Sequence, residues 1–316
     1  MRRGLIALAL LAAMVACSAE RPASDEPSGS DAGSDAADDA GDQGPPPEVE
    51  VTIATWNVRF FYDDVCDLGN CGDDSRELIP STEEFQARAA EIADAIERID
   101  ADVILLQEVE TQACLDAVAA NLDDEYQLVM GEIRRAGSLD TAVLVRSGSE
   151  PRFVKHRQDS FVREDGETRQ FLREFMEVHA TIGDVDVIVL NGHFRSQRRP
   201  DDPDQRHAEA GRAREIALDV ADEYPDALIV LGGDLNDEPG SPTLGILEEG
   251  GAMYRTGEEL GMDAWTVNSF GNLSAIDHLM LLDGRGTFVP GTARILRDVN
   301  SLGGSDHAAM IAGFAR

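Results

Sequence analysis

The sequence predicts an α/β domain in which two mostly antiparallel sheets pack face to face with helices outside. Two observations carry that prediction. Strand-like apolar runs are many, while only a few long stretches have helical spacing. The strands also arrive in clusters rather than alternating one for one with helices, which argues against a doubly wound parallel sheet.

The elements follow in order. Residues 51–57 alternate apolar and polar and read as a strand. Residues 82–99 read as a helix. Thr82 can cap it, and Phe85, Ala89, Ile92, Ala93 and Ile96 recur at helical spacing. Residues 102–107 form a buried strand, and 139–145, 171–181 and 184–190 read as further strands. Gly183 joins the last two as a tight hairpin. Residues 206–224 read as a helix. Residues 227–231, 275–281, 291–296 and 308–314 complete the strands. No second linker or repeat interrupts residues 49–316, so one domain is expected there.

The N-terminal region differs. Arg2 and Arg3 precede an apolar stretch, 5–15, too short to span a bilayer. It ends at Met14-Val15-Ala16-Cys17, which resembles the lipobox of bacterial lipoproteins, with Met where that pattern usually has Leu. Residues 1–17 are therefore expected to be a lipoprotein-type signal with Cys17 acylated. The alternative is an ordinary secretory signal cleaved nearby. Residues 18–48 hold nine acids, one arginine and no aromatic residue. Such a stretch cannot bury a core and is expected to be a disordered tether. Export to the cell envelope or beyond follows from either signal, and the membrane is met only through the lipid.

The net charge is −34, with 61 acids against 27 basic residues. That balance argues against sequence-independent clamping of duplex DNA, which relies on Lys and Arg neutralising phosphates. It leaves attack on a phosphoester open if cations sit in the site. Cys66 and Cys71 lie five apart in an acidic loop, and an oxidising compartment would let them pair. The acids around them (Asp63, Asp64, Asp67, Asp73, Asp74) could hold calcium, though EF-hand spacing is absent. Cys114 reads as a buried thiol.

The chemistry lies at strand ends. Asn57, Glu108, Asn191 with His193, Asp234 with Asn236, and Asp277 with His278 each stand where an apolar run stops or is interrupted, and Asp306 with His307 stand just before the last strand. One such end is a turn; six point to one pocket. Thr55-Trp56-Asn57-Val58, Leu105-Leu106-Gln107-Glu108, Gly192-His193-Phe194-Arg195-Ser196, Gly233-Asp234-Leu235-Asn236-Asp237, Ile276-Asp277-His278 and Gly304-Ser305-Asp306-His307 together resemble the endonuclease/exonuclease/phosphatase superfamily, in that family's order. The resemblance spans about 49–314. It implies a four-layer α/β sandwich, hydrolysis of phosphoesters, and Mg²⁺ as cofactor, with Mn²⁺ or Ca²⁺ as alternatives. It is nearest to secreted bacterial members. A monomer is expected.

Phosphodiester hydrolysis needs an activated water, charge neutralisation at phosphorus and protonation of the leaving oxygen. Glu108 is the expected principal metal ligand, with Asn57 beside it and Asp306 as a further ligand. Asp234 would orient or deprotonate water, and Asn236 would donate to the phosphate. His307 would bind phosphate or move a proton, held by Asp277. His193 would serve the leaving-group side. The two-histidine set resembles the deoxyribonuclease and sphingomyelinase branches and leans toward a nuclease. A phosphatase, a phospholipase or a non-catalytic binding lipoprotein are the alternatives. Arg195, with Arg198 and Arg199, could grip a phosphate or pair with Asp201, Asp202 and Asp204. Asp237, Glu238 and Pro239 read as turn, His278 as structural, and His156, His179 and His207 as surface or core.

Overall fold

The computed structural model describes residues 47–71, 77–133, 135–146, 148, 150–269, 271–298 and 302–316. The expected signal segment, Cys17, most of the expected tether, Asp73 and Asp74 lie outside these. In chain order the elements are β1 (Val51–Phe61), α1 (Thr82–Ile99), β2 (Val103–Val109), α2 (Gln112–Ala119), β3 (Gln127–Met130), β4 (Asp140–Val145), β5 (Arg152–Lys155), β6 (Ser160–Val162), β7 (Thr168–Gln170), β8 (Met176–Ile182) and β9 (Val185–His193). There follow α3 (Asp202–Glu223), β10 (Leu228–Asp234), α4 (Pro242–Glu248), β11 (Met253–Arg255), β12 (Val267–Ser269), β13 (Asn272–Ser274), β14 (Asp277–Leu282), β15 (Thr287–Phe288), β16 (Arg294–Leu296) and β17 (Ala309–Ala315).

Two large sheets result. One runs β15-β17-β1-β2-β4-β3, with β16 also on β17; the other runs β11-β14-β10-β9-β8-β5. Each is antiparallel except for one central parallel pair, β1 with β2 and β9 with β10. The strand period of two then sorts the core into layers. Ile53, Val103 and Leu105 meet Val187, Val189, Leu228 and Val230 between the sheets. Their chain neighbours Ala54, Trp56, Ile104 and Leu106 face the other way and pack with Phe85, Ile92 and Ile96 of α1. Ile188, Leu190, Ile229 and Leu231 likewise meet Ala213, Ile216 and Val220 of α3. Helix, sheet, sheet, helix is the four-layer sandwich the resemblance implied.

Local chemistry explains the boundaries. Ser81, not Thr82, caps α1: its hydroxyl accepts from the Glu84 amide while Glu84 accepts from the Ser81 amide. Helix α3 starts at Asp202, four residues before the expected 206, with a proline in its first turn. The turn expected after Asp237 is real but short. Ser241 caps α4 directly behind it. Residues 171–175, expected to be strand, precede β8 as a non-strand segment led by Phe171, which stacks on Phe175 at 4.9 Å. The Gly183 hairpin is present, with Ile182 opposite Val185. Cys66 and Cys71 form a disulfide, and Cys114 is a buried free thiol. Among the described residues no helix is long and apolar enough to cross a membrane.

Candidate active site

The C-terminal ends of the two parallel pairs come together. On the second sheet Asp234 lies in register with His193 on one side and Asp277 on the other. On the first sheet Asn57 is opposite Gln107, and Glu108 comes next. The sheets are joined beneath by amides. Gln107 donates to Asn191 Oδ1 at 2.9 Å, and Asn191 donates to the Leu106 and Ala142 carbonyls. Asn191 is thus a strut of the interface and does not reach the cleft.

Backbone irregularity aims the side chains. Pairing of β2 with β4 jumps from Gln107 to Val109, so Glu108 is left out of the ladder with φ +66°. A matching shift in β1 puts Arg59 and Phe60 at φ +56° and +48°. Asn236 has φ +55°. Four of the five described non-glycine residues with left-handed φ therefore border one cleft, as bulges and strained residues do next to sites. Hydrogen bonds hold them. Phe60 N donates to Glu108 Oε2 at 3.0 Å, Arg59 N to Asn57 Oδ1 at 2.9 Å, and Asn236 N to Asp234 Oδ1 at 3.1 Å. The glycines before Asp234 are spatial necessities. A Cβ on Gly232 would strike Leu279 and Leu105, and one on Gly233 (φ +137°) would sit 1.8 Å from the Gly192 carbonyl oxygen.

The cleft, about 320 Å³, is lined by Glu108, His193, Asp234, Asn236, Asp306 and His307 among the expected residues. Asn57 lies behind it. Its Nδ2 donates to Asp234 Oδ2 at 2.9 Å, so both its polar atoms are engaged. Asp277 is also behind, accepting from His307 Nδ1 at 2.9 Å. Asp306 pairs with Arg59 at 3.3 Å on the rim. His278 bonds the Asp237 carbonyl and is structural.

Arg195 is elsewhere. Asp202, almost wholly buried at the start of α3, accepts from Arg195 Nε and from the Arg198 and Arg199 amides. That folds the basic run into a loop whose Arg198 side chain, not Arg195, lines the cleft. Arg173 joins it, a residue that sequence reasoning missed because it fell inside an expected strand. Its guanidinium lies near Glu108 and Asp234 and is engaged by no hydrogen bond among the described residues. The one sequence signal was its place between Phe171 and Phe175, an arginine within an aromatic-anchored stretch.

Electrostatics divide the histidines. Burial pushes His193 well below its ordinary pKa, and the nearby cations Arg173, His307 and Arg198 add to this. It is a neutral imidazole, so it can donate a hydrogen bond but not serve as a charged acid. Its Nε2 is 3.5 Å from Asp234 Oδ2 and 4.0 Å from Glu108 Oε1. Burial opposes charge on His307 too, but Asp277, with Asp234 and Asp306, overrides it and raises the group to about 10. His307 is an imidazolium. Burial, then Asp277, raises the Asp234 carboxyl. A larger cavity, about 450 Å³ between His179 and Tyr224, contains none of these residues and lies toward the opposite end of β9.

The polar cleft is built half from each sheet of the sandwich. Residues 54–307 match the Endonuclease/Exonuclease/phosphatase family, and the chain belongs to it. A curated relative, a 5'-tyrosyl-DNA phosphodiesterase of Caenorhabditis elegans, is 27% identical over 192 residues, covering 59% of this chain and 43% of its own length. The chain thus matches less than half of that relative. Among solved structures, TDP2 from C. elegans matches with a TM-score of 0.58 at 19% identity, over 85% of this chain and 77% of that one. An endonuclease/exonuclease/phosphatase from Bacteroides vulgatus matches at 0.59 and 16% identity, over 84% and 99%. These two likenesses establish the fold.

Proposed function

We propose that the protein is a divalent-metal-dependent phosphodiesterase that acts on nucleic acid outside the cytoplasm. The observation that carries this is the pairing of an imidazolium, His307, with a proton-hungry carboxylate, Asp234, in one cleft flanked by two arginines. Arg173 and Arg198 offer donors in the fork geometry that phosphate oxygens accept. The curated relative, named for a phosphodiester bond in DNA, supports the substrate class.

The donor set suits a hard cation. Glu108 keeps Oε1 free of any close hydrogen bond and turns toward the cleft, while the sulfur ligands a softer metal prefers are absent from its lining. Glu108 would hold the ion, with Asp306 as a second carboxylate. Asn57, expected as a ligand, instead fixes Asp234. A cation bound there supplies charge neutralisation for a phosphoryl group. The residues do the rest. Asp234, steadied on both oxygens by Asn57 and Asn236, takes a proton from the attacking water. His307 Nε2 donates to a phosphate oxygen while Asp277 keeps the ring charged. Asn236 has spent one amide hydrogen on the Phe194 carbonyl, at 3.1 Å, and offers the other. Neutral His193 donates without adding charge.

The test is hydrolysis of bis-(p-nitrophenyl) phosphate with Mg²⁺, Mn²⁺ or chelator, followed by DNA, RNA, sphingomyelin and inositol phosphates. Metal-dependent turnover that Glu108→Ala and His307→Ala each reduce at least about 100-fold supports the reading; turnover insensitive to metal and to both changes refutes it. Export by a lipoprotein signal belongs to the same proposal. Labelled palmitate should enter the wild-type chain in a bacterial host and not Cys17→Ser; equal labelling of the two excludes acylation at Cys17.

A further inference from the structure

We propose a second, calcium-binding site outside the cleft, formed by Asp63, Asp67, Glu110 and Glu132. The key atom is Glu110 Oε1. Glu110 is only 2% exposed. Its Oε2 accepts from the Asp63 amide at 2.9 Å, but Oε1 is buried with no hydrogen-bond partner. An unsatisfied buried carboxylate oxygen is costly, and native structures rarely leave one without a ligand. Glu110 lines a cavity of about 320 Å³ with Asp67, Thr111, Glu132, Arg135, Ala136 and Ser138.

The surrounding oxygens are acceptors. Asp63 takes the Val65 amide on Oδ1 and the Thr111 hydroxyl on Oδ2, which leaves a lone pair on each oxygen. Thr111 has spent its proton on Asp63, and Ser138 has spent its own on Asp140, so both hydroxyls face any further partner as acceptors. Oxygens of Asp63 and Glu110 and the Cys114 sulfur lie within 4.8 Å of one another. The sulfur donates to the Phe61 carbonyl at 3.4 Å and so remains a thiol, which argues against zinc. Arg135, exposed, is the one basic residue among those lining the cavity.

Carboxylates and hydroxyls from three chain segments suit an ion that takes six to eight oxygens flexibly. Magnesium requires a near-ideal octahedron and keeps its waters. The ligands also sit where an ion would have mechanical effect. Asp63 and Asp67 flank Cys66, so the loop after β1 is tied at its far end by the Cys66–Cys71 disulfide. An ion shared with Glu110 and Glu132 would tie the same loop to the end of β2 and to the segment after β3. This site is independent of the chemistry in the cleft.

The test is calorimetric titration of the chelator-treated whole chain with CaCl₂, for wild type, Glu108→Ala, Glu110→Gln, Asp67→Asn and Glu132→Gln. Wild type and Glu108→Ala should share one calcium-binding event of equal affinity, and calcium should raise the Tm of both. Glu110→Gln should lose it. Asp67→Asn and Glu132→Gln, at less buried positions that leave the core intact, should each weaken it about tenfold. If Glu110→Gln does not fold, those two variants decide alone. Absence of calcium binding in Glu108→Ala, or titration of Asp67→Asn and Glu132→Gln like wild type, overturns the proposal.

Discussion

At the scale of the residue, position in the backbone matters as much as identity. Arg173 is the clearest case. Its one sequence signal, a place between two phenylalanines, does not mark it as chemical, yet it lies beside Glu108 and Asp234 with no hydrogen bond among the described residues. Arg173→Met is expected to lower kcat/KM on bis-(p-nitrophenyl) phosphate about 100-fold, as loss of a donor to developing charge does, with little change in the urea midpoint. A loss under threefold would remove Arg173 from the phosphate site. Gly233 is the opposite case, where a small change is structural. Its Cβ would sit on the Gly192 carbonyl oxygen. Gly233→Ala should therefore cost about 3 kcal/mol or more in urea unfolding, through a forced separation of β9 and β10. A variant as stable as wild type would show that the strands can part. Arg195 against Arg198 could not have been resolved from the sequence, because three arginines in five positions look alike until Asp202 selects one.

At the scale of the element, strand ends were legible and strand neighbours were not. Glu108, His193 and Asp234 stood out because each ends or follows an apolar run, and His307 because it opens one. Asn191 stood out for the same reason, yet became a strut, since only the sheet pairing decides whether a polar residue meets solvent or another sheet. Helix α4 was hidden in a stretch whose Gly, Ser and Pro read as turn alone. Strand β8 carries a testable network. Glu177 accepts from His156 Nε2 at 2.9 Å and from His179. Burial would raise its pKa, but the two histidines outweigh it and hold it at about 2, against 4.5 ordinarily. The folded carboxylate therefore binds its proton less readily than the unfolded one. Its contribution is complete above pH 4.5 and is lost as pH falls through about 2. For His156, burial again opposes charge but Glu177 and Asp159 raise the group, so its share is complete below 6.5 and fades as pH rises through the folded value. Glu177→Gln should cost about 3 kcal/mol at pH 5.5 in urea unfolding, and the gap to wild type should shrink toward pH 2.5. A gap that stays constant over that range would show that Glu177 carries no such linkage.

At the scale of the whole molecule, charge and architecture pull in different directions. Residues 49–316 carry 52 acids against 24 basic residues, and Arg59, Arg173, Arg198 and His307 are gathered at one cleft. A long nucleic acid approaching that cleft meets a repulsive field. Moderate salt screens it over about 8–10 Å. For an oligonucleotide, kcat/KM should rise between 20 and 150 mM salt by about twofold or more, while that for bis-(p-nitrophenyl) phosphate should barely change; a fall with salt for the oligonucleotide would show that phosphate contacts beyond the cleft dominate. The architecture has its own consequence. Asn57 and Glu108 come from one sheet, His193, Asp234 and Asp277 from the other, and the bond from Asn57 to Asp234 forms only when the two sheets have met. Neither sheet alone carries the whole set of groups. On the function proposed above, a partly folded chain would hold the parts of the site without the site, so activity would report that both layers have closed on each other.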